Sequence, residues 1–226
     1  MIYIIHYKKL KERKDYLIKE LTNLNFEYYF IEDYDRNNMT EHILSYYNGN
    51  KDLWSERTKN IYTHKPIFRA LNNGEICNAV SHLEAINNIS NSSKEYGCVI
   101  EDDIIFKSNF NKNYSTLLKD IPPHYDIIFV GNSFNMMNLS KMANFKVAPI
   151  KNNIYNIKPG RARTVDFYLI KKDFAKKLYD NIKTIVLPFD FELNYWLGKL
   201  NANCYWVDPG LVEQGSMNGT YKSSNR

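Results

Sequence analysis

Cys98-Val99-Ile100-Glu101-Asp102-Asp103 joins a short apolar strand to three adjacent carboxylates, and Ile104-Ile105-Phe106 follows at once. Three like charges side by side repel one another, and a divalent cation relieves that repulsion. An all-oxygen donor set suits Mg²⁺ or Mn²⁺ rather than zinc. Alternation along a strand sends Glu101 and Asp103 to one side and Asp102 to the other. The pattern therefore pairs Glu101 with Asp103 as metal ligands and leaves Asp102 for another partner. An acidic turn that only solubilises a strand end has the same local sequence, so the flanking segments decide between the two readings.

Those segments alternate strand and helix. Residues 2–6 read as a first strand and residues 26–31 as a second. Residues 11–24 between them read as an amphipathic helix whose apolar face is Leu17, Leu21 and Leu24, with Leu10 just ahead. Asn73 is placed to cap a helix over residues 74–89, with Ile76, Ala79, Val80, Leu83 and Ile86 on one face and Glu75 in the first turn. A helix over 109–118, strands over 125–130 and 165–170, a helix capped by Asp173, a helix opened by Asp190 behind Pro188, and a strand over 204–207 complete the series. This alternation predicts an α/β fold with a mostly parallel, twisted sheet and helices on both faces. In such sheets ligands sit beyond the carboxyl ends of the strands, where residues 101–103 emerge.

A chain of 226 residues, 44% hydrophobic and 15% aromatic, is long enough for a real core and predicts one domain over residues 1–226, with a polar C-terminal tail from about residue 215. The 30 Lys and Arg exceed the 25 Asp and Glu by a net charge of only +5. That excess is too weak to imply nucleic acid; it suits a phosphate-bearing small molecule or peripheral contact with an anionic membrane surface. Cys77, Cys98 and Cys204 are far apart, form no CxxC pair and have the apolar or small neighbours of buried thiols, so neither zinc nor a disulfide framework is indicated. No signal-peptide pattern opens the chain and no transmembrane segment is evident, which makes the expected compartment cytoplasmic. Neither GxGxxG after the first strand nor GxxxxGK[ST] is present, so dinucleotide dehydrogenases and P-loop enzymes are not supported.

Leu71-Asn72-Asn73-Gly74-Glu75-Ile76-Cys77-Asn78-Ala79-Val80-Ser81-His82, followed by Val99-Ile100-Glu101-Asp102-Asp103, resembles the paired signature of glycosyltransferase family 25. That family includes lipooligosaccharide galactosyltransferases and, in related domains, hydroxylysine galactosyltransferases acting on collagen. Weaker matches extend over nearly the whole chain: the opening strand with Glu12-Arg13, the segment from Val165 to Leu178, Pro188-Phe189-Asp190, and Val212-Glu213-Gln214. One departure is Cys77-Asn78 directly after Gly-Glu-Ile, where the family pattern has Gly-Cys; it concerns a helix packing position.

The resemblance implies a GT-A type fold, a UDP-sugar donor, and inverting transfer of galactose or glucose with Mn²⁺ or Mg²⁺ bound through the acidic motif. The acceptor hydroxyl would belong to a glycan, as in lipooligosaccharide biosynthesis, or to hydroxylysine, as in collagen glycosylation. By this reading Glu101 and Asp103 hold the metal and Asp102 meets the donor ribose or sugar hydroxyls. Asp190 is the first candidate for the general base, against a plain helix-capping role, and Glu192 is the reserve. His82 lies along the edge of the helix face, toward the site or in a structural role. Arg13 and Arg69 either pair with phosphate or close the base of the pocket. Tyr7 is placed to stack on uracil and Gln214 to complete the metal or donor shell. Tyr46-Tyr47 and Trp54, read as exposed aromatics, suit an acceptor groove or a partner surface. Two other readings share the sequence: a Mg²⁺-dependent nucleotidyl or phosphoryl transferase, and a non-catalytic sugar- or partner-binding module.

Overall fold

Ile2–Ile5 (β1) lies between two parallel neighbours, Tyr28–Ile31 (β2) and Tyr96–Glu101 (β3), with Lys11–Asn23 (α1) crossing between β1 and β2. The structure is a computed structural model and describes residues 1–59, 67–131, 148–160 and 165–222. Further strands are Ile104–Phe106 (β4), Ile127–Phe129 (β5), Ile154–Ile157 (β6), Phe167–Lys171 (β7), Cys204–Val207 (β8) and Val212–Gln214 (β9). Among the described residues the main sheet has 7 strands in the order β2-β1-β3-β7-β5-β8-β6, and β4 pairs with β9 in a separate ribbon. The strands β1, β2, β3, β5 and β8 run one way, while β7 and the edge strand β6 are antiparallel to their neighbours. The expected mostly parallel α/β sheet is present, with β7 inserted against the common direction beside β3.

Alternation along the strands divides the core in two, as expected for a sheet covered on both faces. Tyr3, Ile5, Val99 and Tyr168 face Asn73–Asn91 (α4), Lys172–Asn181 (α6) and Phe189–Lys199 (α7). Ile2, Ile4, Cys98 and Ile100 face α1 and Phe110–Asp120 (α5). Close approach of α4 to β3 depends on Gly97, where a Cβ would stand 2.4 Å from a side-chain carbon of Ile89. The three cysteines are free and buried. Among the described residues no helix is long and apolar enough to cross a membrane.

Several boundaries differ from the sequence expectation for local reasons. Asn72, not Asn73, caps α4: its side chain accepts from the Glu75 amide while the Glu75 carboxylate accepts from the Asn72 amide, the reciprocal spacing of a capping box. Asp173 sits inside the first turn of α6 because β7 runs straight into that helix. Asp190 likewise lies in the first turn of α7, with Pro188 at the cap. The short helices Glu41–Ser45 (α2) and Lys51–Thr58 (α3), the strand β6 and the β4–β9 ribbon add to the expected elements. Trp54 is buried and Tyr46 and Tyr47 are partly buried against the core, so these aromatics are packing residues rather than an exposed groove.

The polar segment is folded over its described residues, 215–222. Gly215–Asn218 (α8) begins where the Gly215 amide donates to the Asp103 carbonyl at 2.6 Å, and a Cβ there would collide with the Tyr221 ring at 2.5 Å.

Glu192 ties α3 to α7. Its carboxylate is fully buried, pairs with Arg57, and accepts from the Val186 and Leu187 amides at 3.0 Å each and from the Trp196 indole at 2.8 Å. Breaking one partner of a buried pair strands the other charge away from water. Arg57→Met is expected to destabilise the fold by about 3–5 kcal/mol, read as a lower urea midpoint with an unchanged slope.

Candidate active site

Parallel register sets the site. Ile5 stands opposite Glu101, so the residues that follow, His6 just after β1 and Asp102 just after β3, emerge side by side at the carboxyl edge of the sheet. The buried Asp102 accepts from the Tyr7 amide at 3.2 Å, meets His6 Nδ1 at 2.9 Å and binds Arg13 at 2.5 Å. The second Arg13 nitrogen donates to the Lys222 carbonyl at 2.5 Å, and the guanidinium lies over the Tyr221 ring at 5.0 Å. Both oxygens of Asp102 are thus engaged by the protein. Asp102 and Arg13 brace the floor of the cavity, whose wall both of them line.

Glu101 turns to the opposite side, as alternation requires, and meets α4. Asn78 donates to its Oε1 at 3.1 Å and Gln214 to its Oε2 at 3.2 Å. Asp103 lies in the turn after β3 and accepts from the Ser216 hydroxyl, while its buried Oδ1 has no hydrogen-bond partner. Burial, reinforced by the neighbouring Glu101 charge, pushes the Asp103 carboxyl up to about 6. Burial also raises Glu101, with the Asp102 charge adding to it and the Asn78 bond opposing it.

These groups line a cavity of about 140 Å³ together with Tyr7, Tyr34, Arg36, Gly74, Cys77 and Ser81. The Arg36 guanidinium stacks on Tyr7 at 4.2 Å, and Asn37 donates to the Tyr7 hydroxyl. No cluster of 3 or more His, Cys, Asp or Glu side chains is arranged to enclose a metal ion among the described residues. Two carboxylates with one orphaned buried oxygen do fit the way Mg²⁺ and Mn²⁺ are held in phosphate-transfer sites, where waters and substrate phosphates complete the coordination shell. The carboxylates that fit that role are Glu101 and Asp103.

The remaining sequence candidates separate into near and far. Gln214 is in the cavity wall through its bond to Glu101. His82 lies behind Glu101, fully buried and stacked on Phe189 at 4.3 Å, and burial drives its pKa down to about 3, so the ring is neutral. Asp190 follows Phe189, and its carboxyl is pushed up to about 7 by burial and by the charges of Glu101 and Glu75, against a backbone hydrogen bond from Phe191. Glu192 lies in the α3–α7 junction with its carboxylate engaged by Arg57, the Val186 and Leu187 amides and the Trp196 indole, outside the cavity wall. Arg69 forms an exposed bidentate pair with Glu75, at 2.7 Å and 2.5 Å, and lies outside the cavity wall. His6, Asn78, Arg36 and Ser216 join the site without having been singled out. Gly74, Asn78, Ser81 and His82 recur at helical three- and four-residue spacing, a signal that points one stripe of α4 at the acidic strand end.

Sequence comparison agrees with this architecture. The profile of "Glycosyltransferase family 25 (LPS biosynthesis protein)" matches residues 1–193. Over 99% of its length the chain is 25% identical to the "Procollagen lysyl hydroxylase and glycosyltransferase" of Acanthamoeba polyphaga mimivirus. Over 58% of its length it is 26% identical to "Procollagen galactosyltransferase 2" of Mus musculus. It spans 27% and 20% of the lengths of those two proteins. Among solved structures, a glycosyltransferase involved in glycosylation of the major capsid of PBCV-1 superposes with a TM-score of 0.49 at 11% identity, covering 99% of this chain and 93% of that one. S. aureus TarS gives 0.44 at 15% identity, covering 94% and 59%. With the family profile running from residue 1 through residue 193 of 226, the chain belongs to glycosyltransferase family 25.

Proposed function

We propose that this chain is a metal-dependent inverting glycosyltransferase that moves a hexose, galactose or glucose, from a UDP-sugar to a hydroxyl of a glycan or of hydroxylysine in a collagen-like protein. The observation that carries the reading is the pair Glu101 and Asp103 at the carboxyl edge of the sheet, one held by Asn78 and Gln214 and the other with a bare buried oxygen. The family membership and the procollagen-modifying relatives support the acceptor class.

Transfer from a sugar nucleotide leaves negative charge on the departing diphosphate as positive charge grows at the anomeric carbon. A bound Mn²⁺ or Mg²⁺ supplies neutralisation of that departing charge. Glu101 and Asp103 would hold the ion, with Asn78, Gln214 and Ser216 fixing the two carboxylates. Tyr7, on the cavity wall and stacked under Arg36, offers a flat face for uracil. Inversion in a single displacement needs a base on the far side of the anomeric carbon from the diphosphate. Asp190 suits that task because a carboxyl with a pKa near 7 takes a proton effectively at neutral pH. It sits in the first turn of α7 with Pro188 at the cap, where its carboxylate accepts from the Phe191 amide.

Calorimetric titration of UDP with and without Mn²⁺ tests the donor site. Metal-dependent binding is expected, weakened more than about 10-fold in Asp103→Asn. Metal-independent binding, or none, would overturn the reading. Product analysis should find free UDP; pyrophosphate or orthophosphate would indicate nucleotidyl or phosphoryl transfer.

Asp190 adds a pH signature. Its folded pKa lies above the unfolded value, so its favourable contribution is complete below about pH 4 and is lost as pH rises through about 7. Asp190→Asn should match the parent at pH 4 and exceed it by about 1–3 kcal/mol at pH 8 in urea unfolding, while transfer activity falls at least about 100-fold. A variant that keeps full activity would remove Asp190 as the base.

A further inference from the structure

His82 has a buried polar atom that no hydrogen bond explains. Its ring is fully buried between Phe189, stacked at 4.3 Å and 7°, and Tyr168, at 5.9 Å and 22°. Nδ1 meets the Tyr168 hydroxyl at 3.2 Å. Nε2 has no hydrogen-bond partner, yet it points at Glu101 Oε1 from 3.7 Å. Only one proton is shared between the two ring nitrogens of a neutral imidazole. A proton on Nδ1 would leave the Nε2 lone pair facing a carboxylate oxygen in a buried site, acceptor against acceptor. A proton on Nε2 turns the same contact into a favourable dipole–charge interaction, and Tyr168 then donates to Nδ1.

We propose that His82 is a positioning residue for Glu101: the Tyr168 hydroxyl fixes the imidazole with its N–H on Nε2, and that N–H, together with Asn78 and Gln214, holds the Glu101 carboxylate facing the cavity. The three contacts come from two elements. Asn78 and His82 stand at i and i+4 on α4 and both address Oε1, while Gln214 reaches Oε2 from β9. Tyr168 belongs to β7, the strand that runs antiparallel beside β3, so the inserted strand delivers the hydroxyl that sets the imidazole. Phe189 stacks on the same imidazole and is adjacent in sequence to Asp190.

The inference rests on Glu101 being a metal ligand, and the test separates the two. Partners that hold a ligating side chain typically affect metal affinity by about 10–100-fold. Mn²⁺ affinity in the presence of UDP, measured by calorimetry on the full chain, is expected to fall by about that factor in His82→Leu. His82→Gln, which returns an amide N–H toward Glu101, should recover most of the loss. Tyr168→Phe removes one oxygen and keeps the stacked ring, so it provides the reading even where His82→Leu fails to fold; its affinity should fall about 3–10-fold with little change in thermal midpoint. Parent-like Mn²⁺ affinity in Tyr168→Phe and in folded His82→Leu would overturn the positioning role while leaving the metal site standing. Equal losses in His82→Gln and His82→Leu would assign His82 to packing alone. No Mn²⁺ binding by the parent would overturn both this inference and the donor-site reading beneath it.

Discussion

The buried carboxylate of Asp102 joins three parts of the chain that are distant in sequence. It receives His6 and the Tyr7 amide from the end of β1, Arg13 from α1, and through the other arm of Arg13 the carbonyl of Lys222. A buried, hydrogen-bonded charge of this kind is strongly destabilising to break, because each partner left behind stays out of water. The floor of the cavity is therefore rigid, and it is rigid at the point where the sheet ends and the ligand space begins.

That constraint divides the acidic triplet. All three carboxylates line the cavity; Asp102 and Glu101 have both oxygens engaged by the protein, and Asp103 keeps one buried oxygen without a hydrogen-bond partner. Glu101 and Asp103 are both pushed toward protonation by burial and by their acidic neighbours, and Asp190 feels the same field from Glu101. Buried carboxylates that raise one another's pKa work against folding at neutral pH, and such clusters concentrate where a ligand or a proton transfer makes use of them. The contrast with Glu192 is instructive. It is just as buried, but an arginine and three hydrogen bonds compensate it, and it serves the junction of α3 and α7.

Much of the fold was legible because its main signals are local. The apolar stripe of α4, the β1–α1–β2 opening and the apolar run before the triplet each follow from side-chain period alone. The β4–β9 ribbon and β6 were not legible, since the strands they pair with lie far along the chain. Cap positions moved by two residues where a strand or a proline fed directly into a helix, from Asp173 to Lys171 and from Asp190 to Pro188. The apparent exposure of Trp54 failed for a related reason: its cover, Val186, Leu187 and Phe68, comes from separate segments.

The site divides along the same line. Sequence by itself determined the family, the carboxylate-rich strand end and the direction of Glu101 and Asp102, because alternation along a strand and recurrence along a helix are properties of a few consecutive residues. Only the tertiary structure decided which carboxylates are occupied. Whether Asp102 and Glu192 face a ligand or a protein partner depends on residues tens of positions away, and burial, which sets the charge of Asp103, Asp190 and His82, exists only once those distant segments have closed around them.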